Sequence, residues 1–125
     1  MNPKVNPIGW FEIPALDLIR AKSFYESTLQ MKLDLQEMGD TRMAWFPFDE
    51  SAPGCSGSLV QSQGHEPHRQ GTLVYFSVDD IPACLERAVA HGGKSLLQKT
   101  SIGPYGFIGI LEDTEGNRVG LHSRR

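Results

Sequence analysis

Cysteine is nearly missing from this chain: there are two in 125 residues, Cys55 and Cys84, too few for a disulfide framework. Cys84 falls in a helix-like stretch and Cys55 at a strand entry, so both are read as reduced thiols in a cytoplasmic protein. No uninterrupted apolar run approaches the roughly 18–20 residues that cross a bilayer. The opening segment, Met1 to Pro7, carries two prolines and no apolar signal region, which argues against export. Basic residues are in no excess either. Twelve Lys and Arg against 15 Asp and Glu give a net charge of -3, so neither nucleic acid nor an acidic membrane has an electrostatic reason to bind. The terminal Arg124-Arg125 pair is read as a solvated tail. No serine sits in a nucleophile elbow, and Cys55 has no base beside it in sequence. The glycines of Ser101 to Gly106 lead into a strand rather than a helix, so they are no phosphate cradle. With 39% hydrophobic and 22% charged residues, what remains is one globular domain with room for a core.

One pattern is present twice. From Glu12 the chain reads EIPALDLIRAKSFYE and from Tyr75 it reads YFSVDDIPACLERAV, placing Asp80 where Asp17 stood, Ile81 for Leu18 and Cys84 for Ala21. Similarity at a fixed offset of half the chain marks a duplicated unit. In the first copy, Ile8 to Ile13 reads as a strand closed by Pro14. Asp17 is placed to cap a helix, in which Leu18, Ala21, Phe24, Tyr25 and Leu29 form the buried stripe. Strands are expected over Met31–Met38, Met43–Phe48 and Ser58–Gln61, with a turn at Gly39-Asp40 and a loop over Glu50–Gly54. The second copy gives a strand over Thr72–Val78 and a helix capped by Asp80 and ended by Gly92-Gly93. Strands follow over Lys94–Lys99, Gly106–Leu111 and Arg118–His122. Asp113 to Asn117 forms the last hairpin turn. The fold class is therefore α+β: two tandem βαβββ modules, residues 8–61 and 72–122, joined by a polar linker over 62–71 within a single domain spanning 1–125. Their sheets would curve around a cavity, lined according to strand alternation.

Asp17 with the step to Tyr25 in DLIRAKSFY, the strand LVYFSVDDI and the closing hairpin EDTEGNRVGLH together resemble the vicinal oxygen chelate superfamily of glyoxalases, bleomycin-resistance proteins and extradiol dioxygenases. The resemblance runs from Ile8 to His122 and looks like an uncharacterised glyoxalase-like branch; it implies a fold, not a reaction. Metal-dependent relatives hold a divalent cation with His, Gln or Glu from the first and last strands of each module. Carried onto this chain, those positions are Trp10, Leu73, Gly120 and either Gly57 or Ser58. Indole, isobutyl and hydrogen do not coordinate, and a neutral serine is a poor ligand, so no metal and no other cofactor is expected.

Other residues are candidates for the site. Glu12 and His122 lie two positions beyond Trp10 and Gly120 and share their parity, so they would face the cavity as an acid/base or polar clamp; a purely structural pair is the alternative. Trp10, Ser58 and Tyr75 are expected to line the cavity, and Trp10 there either stacks on a planar ligand or plugs the space. Tyr105, between Gly103 and Gly106, either closes over a ligand or belongs to a tight turn. His65 and His68 are read as part of a solvated linker, lacking a third ligand at fixed spacing. His91 is explained by the dipole at a helix end. The leading function is a glyoxalase-like small-molecule-binding protein or metal-independent enzyme. A metal-dependent lyase or isomerase of the lactoylglutathione lyase type, a drug-sequestering protein and a ligand-free structural dimer are the alternatives. A homodimer is implied by analogy, because open sheets of this type often complete their cavities across chains.

Overall fold

A computed structural model describes residues 6–125; Met1 to Val5, on which the export reading partly rests, lie outside the described residues. The duplicated pattern becomes two four-stranded mixed sheets, each with one helix. In the first, β1 (Phe11–Pro14), α1 (Leu18–Leu29), β2 (Asp34–Met38), β3 (Thr41–Trp45) and β4 (Gly57–Gln61) assemble in the order β1-β4-β3-β2. In the second, β5 (Tyr75–Ser77), α2 (Ile81–Ala90), β6 (Lys94–Ser101), β7 (Phe107–Glu112) and β8 (Arg118–Ser123) give β5-β8-β7-β6. The first strand of each module runs parallel to its last, and the remaining pairings are antiparallel.

Both helices start as the sequence requires. The Asp17 carboxylate accepts the Arg20 N–H at 3.1 Å and the Asp80 carboxylate accepts the Ala83 N–H at 3.1 Å, each supplying a partner to a first-turn donor that has none inside its helix. Several strands are shorter than their apolar runs. β1 begins at Phe11 rather than Ile8, β3 stops at Trp45 because Pro47 cannot extend the ladder, and β5 keeps only three residues. Pro14, expected to end β1, stays in register opposite Val60. It can do so because β1 is an edge strand, where a missing N–H breaks no second ladder.

The core joins the modules. Tyr25 from α1 lies edge-on to Phe46 at 5.6 Å between ring centroids, and Phe46 meets Phe76 of the second module at 5.3 Å. Phe11 touches Phe76 at 5.7 Å. Arg87 of α2 donates from Nε to the Thr28 carbonyl at 3.0 Å, filling a vacancy at the C-terminal end of α1. Apolar rings alternate between the modules along the seam, and each fully buried ring or aliphatic side chain contributes about 1.5–3 kcal/mol. This seam fixes how the two sheets present their other faces.

Candidate functional site

Strand alternation assigns the faces. Phe11, Ile13, Ala44 and Leu59 pack into the helix-side core, so Trp10, Glu12, Trp45 and Ser58 point away from it. In the second module Phe76 and Leu121 enter the core, which turns Tyr75, Gly120 and His122 to the outer face. Glu12 is in register with Ser58, and Tyr75 with Gly120. The duplication therefore superposes these pairs, making Ser58, not Gly57, the counterpart of Gly120.

Aromatic rings lie next to both of these small residues. Trp45, on β3, and Trp10, just ahead of β1, meet edge to face at 5.5 Å. Ser58, in register with Trp45 on the same face, is 0% exposed. Its hydroxyl and the Trp45 indole N–H are both buried without a hydrogen-bond partner. At Gly120 a β-carbon would collide with the Tyr75 ring; only glycine lets that ring lie flat on β8.

Beside these rings, between the first strands of the two modules, is a cavity of about 970 Å³ bordered by Trp10, Glu12, His68, Leu73, Tyr75 and Arg118, and reaching Phe11 and Phe76 on the core side. The linker closes part of it. The sequence suggested a solvated loop, but the linker is tied down at successive points. Ser62 hydrogen-bonds Thr41 at 3.1 Å, and the Nε2 atom of His65 lies 3.7 Å from Glu12 Oε1. The backbone N–H of His68 donates to Asn117 at 3.2 Å, and Arg69 pairs with Glu112 at 2.9 Å.

The structure groups the sequence candidates unevenly. Trp10, Glu12 and Tyr75 border the cavity, whereas Ser58, expected to line it, is fully buried on β4 and does not reach it. His122 instead borders a separate polar cavity of about 660 Å³ with Asp79, Asp80 and Arg87. Its Nε2 sits 2.7 Å from the Tyr105 carbonyl oxygen. Since a carbonyl can only accept, Nε2 carries the hydrogen. Glu12 and His122 thus have separate partners and border separate cavities. Parity fixes a residue's face but not its height, and each two-residue step along a strand is roughly 6.6 Å. The Tyr105 ring is 69% exposed in a 3-10 turn (Gly103–Tyr105), away from the large cavity. Gly106 at φ 108° abuts the Ser123 carbonyl, so of the two readings of this loop the geometry is that of a tight turn.

The Asp113–Asn117 turn carries a network that the sequence reading missed. Glu115 accepts the backbone N–H groups of Leu16 and Asp17 at 2.9 and 2.8 Å, and Arg20 forks onto it at 2.7 and 2.9 Å. Asn117 donates to the Pro14 carbonyl at 2.7 Å, and the buried Tyr25 hydroxyl donates to Asp113 at 2.7 Å. Burial pushes the Asp113 carboxyl up and, helped by that carboxylate, the Tyr25 phenol well up. Burial also opposes ionisation of Glu115, but the Arg20 guanidinium and the Asp17 N–H outweigh it and hold Glu115 below the ordinary range. The turn of the second module thereby clasps the start of α1 and orients β1, which carries Glu12 and follows directly on Trp10. Reading Asp113 and Asn117 only as turn formers hid their side-chain chemistry.

The superposable modules and flanking cavity match a known architecture. Residues 7–121 fit the model of the Glyoxalase/Bleomycin resistance protein/Dioxygenase superfamily. The chain belongs to this superfamily. A glyoxylase-like domain-containing protein of Didymella fabae is 33% identical over 123 residues, covering 94% of this chain and 93% of that one. Glyoxalase I of Zea mays superposes with a TM-score of 0.71 at 22% identity, over 94% of this chain but only 46% of the maize protein. A glyoxalase/bleomycin resistance protein of Albidiferax ferrireducens gives 0.71 at 16% identity, covering 96% of this chain and 100% of that one. These structural likenesses speak to the fold alone.

Cation binding as in metal-dependent members of the superfamily does not fit the residues present. Trp10, Leu73 and Gly120 have no donor atom suited to a divalent cation. The Ser58 hydroxyl is buried without a hydrogen-bond partner, in register with Trp45. No group of three or more His, Cys, Asp or Glu side chains converges among the described residues, so the Glu12–His65 pair is not extended into a substitute site.

Proposed function

We propose that this glyoxalase-like protein binds a planar, largely apolar small molecule between its modules, using aromatic surface where metal-dependent relatives use ligating side chains. The observation that carries this reading is the placement of aromatic rings next to Ser58 and Gly120, beside a cavity of about 970 Å³. That volume is at the upper end of small-molecule sites, which combine apolar and aromatic walls with placed polar groups; here Trp10, Phe11, Tyr75 and Phe76 supply the rings and Glu12, His68 and Arg118 polar groups. Indole and phenol faces favour offset or edge-on contact with a second π-system. Glu12, with His65 at 3.7 Å, is one polar group at the cavity available to a metal-independent reaction.

Thermal unfolding and tryptophan fluorescence, measured across a panel of planar aromatics, test the reading. A ligand at a hundred times its dissociation constant stabilises by about 2.7 kcal/mol, which raises Tm by several degrees, and Trp10→Ala should abolish the rise. If no compound moves either signal, the proposal fails. Metal-dependent lyase turnover and drug sequestration are the competing readings. Stoichiometric nickel, zinc, manganese or iron in protein purified without chelator would favour the first over ours. A cytoplasmic homodimer is the setting we propose, testable by sedimentation and fractionation.

A further inference from the structure

Arg118 is the cation within the proposed cavity that has no assigned partner. It sits on β8 in register with Glu112 of β7, the neighbour that would ordinarily neutralise it. Both Glu112 oxygens are taken: Oε1 by Arg69 at 2.9 Å and Oε2 by Lys94 at 3.7 Å. Glu12 and Glu66 border the same cavity. Yet among the described residues no carboxylate comes within 4.0 Å of the Arg118 guanidinium, and Glu12 is engaged by His65. The Nε of Arg118 is buried and has no hydrogen-bond acceptor. Arg118 as a whole is half-buried, and an Nε donor cut off from water without an acceptor carries a desolvation cost that an acceptor reaching it would remove.

We infer that Arg118 anchors a carboxylate on the ligand of this cavity, so that the ligand class is aromatic carboxylates. The inference rests on the binding reading above and narrows it. A guanidinium presents parallel N–H donors in a plane, and a carboxylate offers oxygens at matching spacing. Leu73 and Tyr75 border the cavity with Arg118, and Tyr75 is in register with Gly120, two residues along β8. A ligand held by its carboxylate at Arg118 therefore lays its ring toward Tyr75 and, across the cavity, Trp10.

Matched acid and amide pairs separate this inference from the broader one. Titration calorimetry at pH 7 with 2-naphthoate against 2-naphthamide, and indole-3-acetate against indole-3-acetamide, should show each acid binding roughly tenfold tighter or more. Arg118→Gln should reduce the acid to the amide's affinity while leaving the amide unchanged, and Arg118→Lys should restore only part of the difference. Higher salt should weaken the acid alone. Equal affinity of acid and amide on the unaltered protein, or discrimination that survives in Arg118→Gln, overturns the Arg118 assignment but leaves the cavity reading intact. Binding of neither partner of any pair overturns both. Should Arg118→Gln not fold, the acid–amide ratio and its salt dependence on the unaltered protein still decide.

Discussion

Replacing Glu115 with Ala tests whether the last hairpin turn holds the modules in register. The side chain accepts two backbone N–H groups from the entry to α1, one side-chain hydroxyl and the Arg20 fork. Hydrogen bonds to a charged group contribute about 1.5–3 kcal/mol each. The Leu16 and Asp17 donors are partly buried, and once the carboxylate is gone water can reach them only incompletely. Losing both therefore costs about 2–4 kcal/mol. Arg20 lies half in solvent, so the ion pair itself adds little. For a chain of this size that loss lowers Tm by roughly 6–15 °C.

Urea unfolding followed by far-UV circular dichroism should show a lower midpoint at unchanged slope. Glu115→Gln, which keeps one carbonyl acceptor but loses the charge, should fall between the two. A double-mutant cycle with Arg20→Ala isolates the coupling. A loss below about 0.5 kcal/mol for Glu115→Ala, the usual range for surface changes, would refute the idea that this turn clasps α1. The same variant should weaken ligand binding, because the clasp orients the strand that bears Glu12 and follows directly on Trp10.

Two further outcomes follow. Gly120→Ala drives a methyl group into the Tyr75 ring and should destabilise by about 1–3 kcal/mol as an overpacked contact; Tyr75→Ala in the same chain should recover most of that loss in thermal melts. Glu115 ionises below its ordinary 4.5 in the folded protein, so its contribution is complete above that value and disappears as pH falls through the lowered pKa. The stability gap between unaltered protein and Glu115→Gln should therefore narrow in acid; a gap that is constant or widens from pH 6 to 3 would show the sign to be wrong. Asp113, shifted upward by burial, acts in the opposite direction in both proteins and leaves the comparison clean.

The residues readable from sequence are those whose effect is local. Asp17 and Asp80 cap helices because their carboxylates meet donors three positions on, and the offset between them exposes the duplication. Parity placed Trp10 and Tyr75 on the faces opposite the core because alternation is a property of a single strand. What depended on neighbours in space was not readable. The burial of Ser58 depends on neighbours across the sheet, Trp45 of β3 among them. The separation of His122 from Glu12 depends on height along two strands, which parity leaves open. The return of His65 to Glu12 depends on where the linker crosses, and the docking of Glu115 depends on how one module meets the other. In each case the side-chain chemistry was visible, but its partner lay in another element, for Glu115 as far as 99 positions away.

The two modules reach the same chemistry by different routes, which constrains what could restore a cation site. In the second, glycine at 120 makes room for a ring from the adjacent strand. In the first, a fully buried serine is in register with Trp45, whose indole meets that of Trp10. A carboxylate at position 120 would need the space Tyr75 occupies, and one at position 58 would be buried beside Trp45 with no partner, a cost of several kcal/mol. No single substitution can therefore rebuild the ligand set: four positions lack a suitable donor, position 120 is crowded by the Tyr75 ring, and position 58 is buried. The polar contribution instead comes from beside these positions. Arg118 stands two residues before Gly120 and Glu12 two after Trp10, so each keeps its neighbour's parity while clearing the ring at the neighbouring place. Cavity charge that is displaced one step along the strand from the old ligand positions suits a ligand held at its polar end while its ring lies on the aromatic surface, and an acid–amide comparison reads out that arrangement directly.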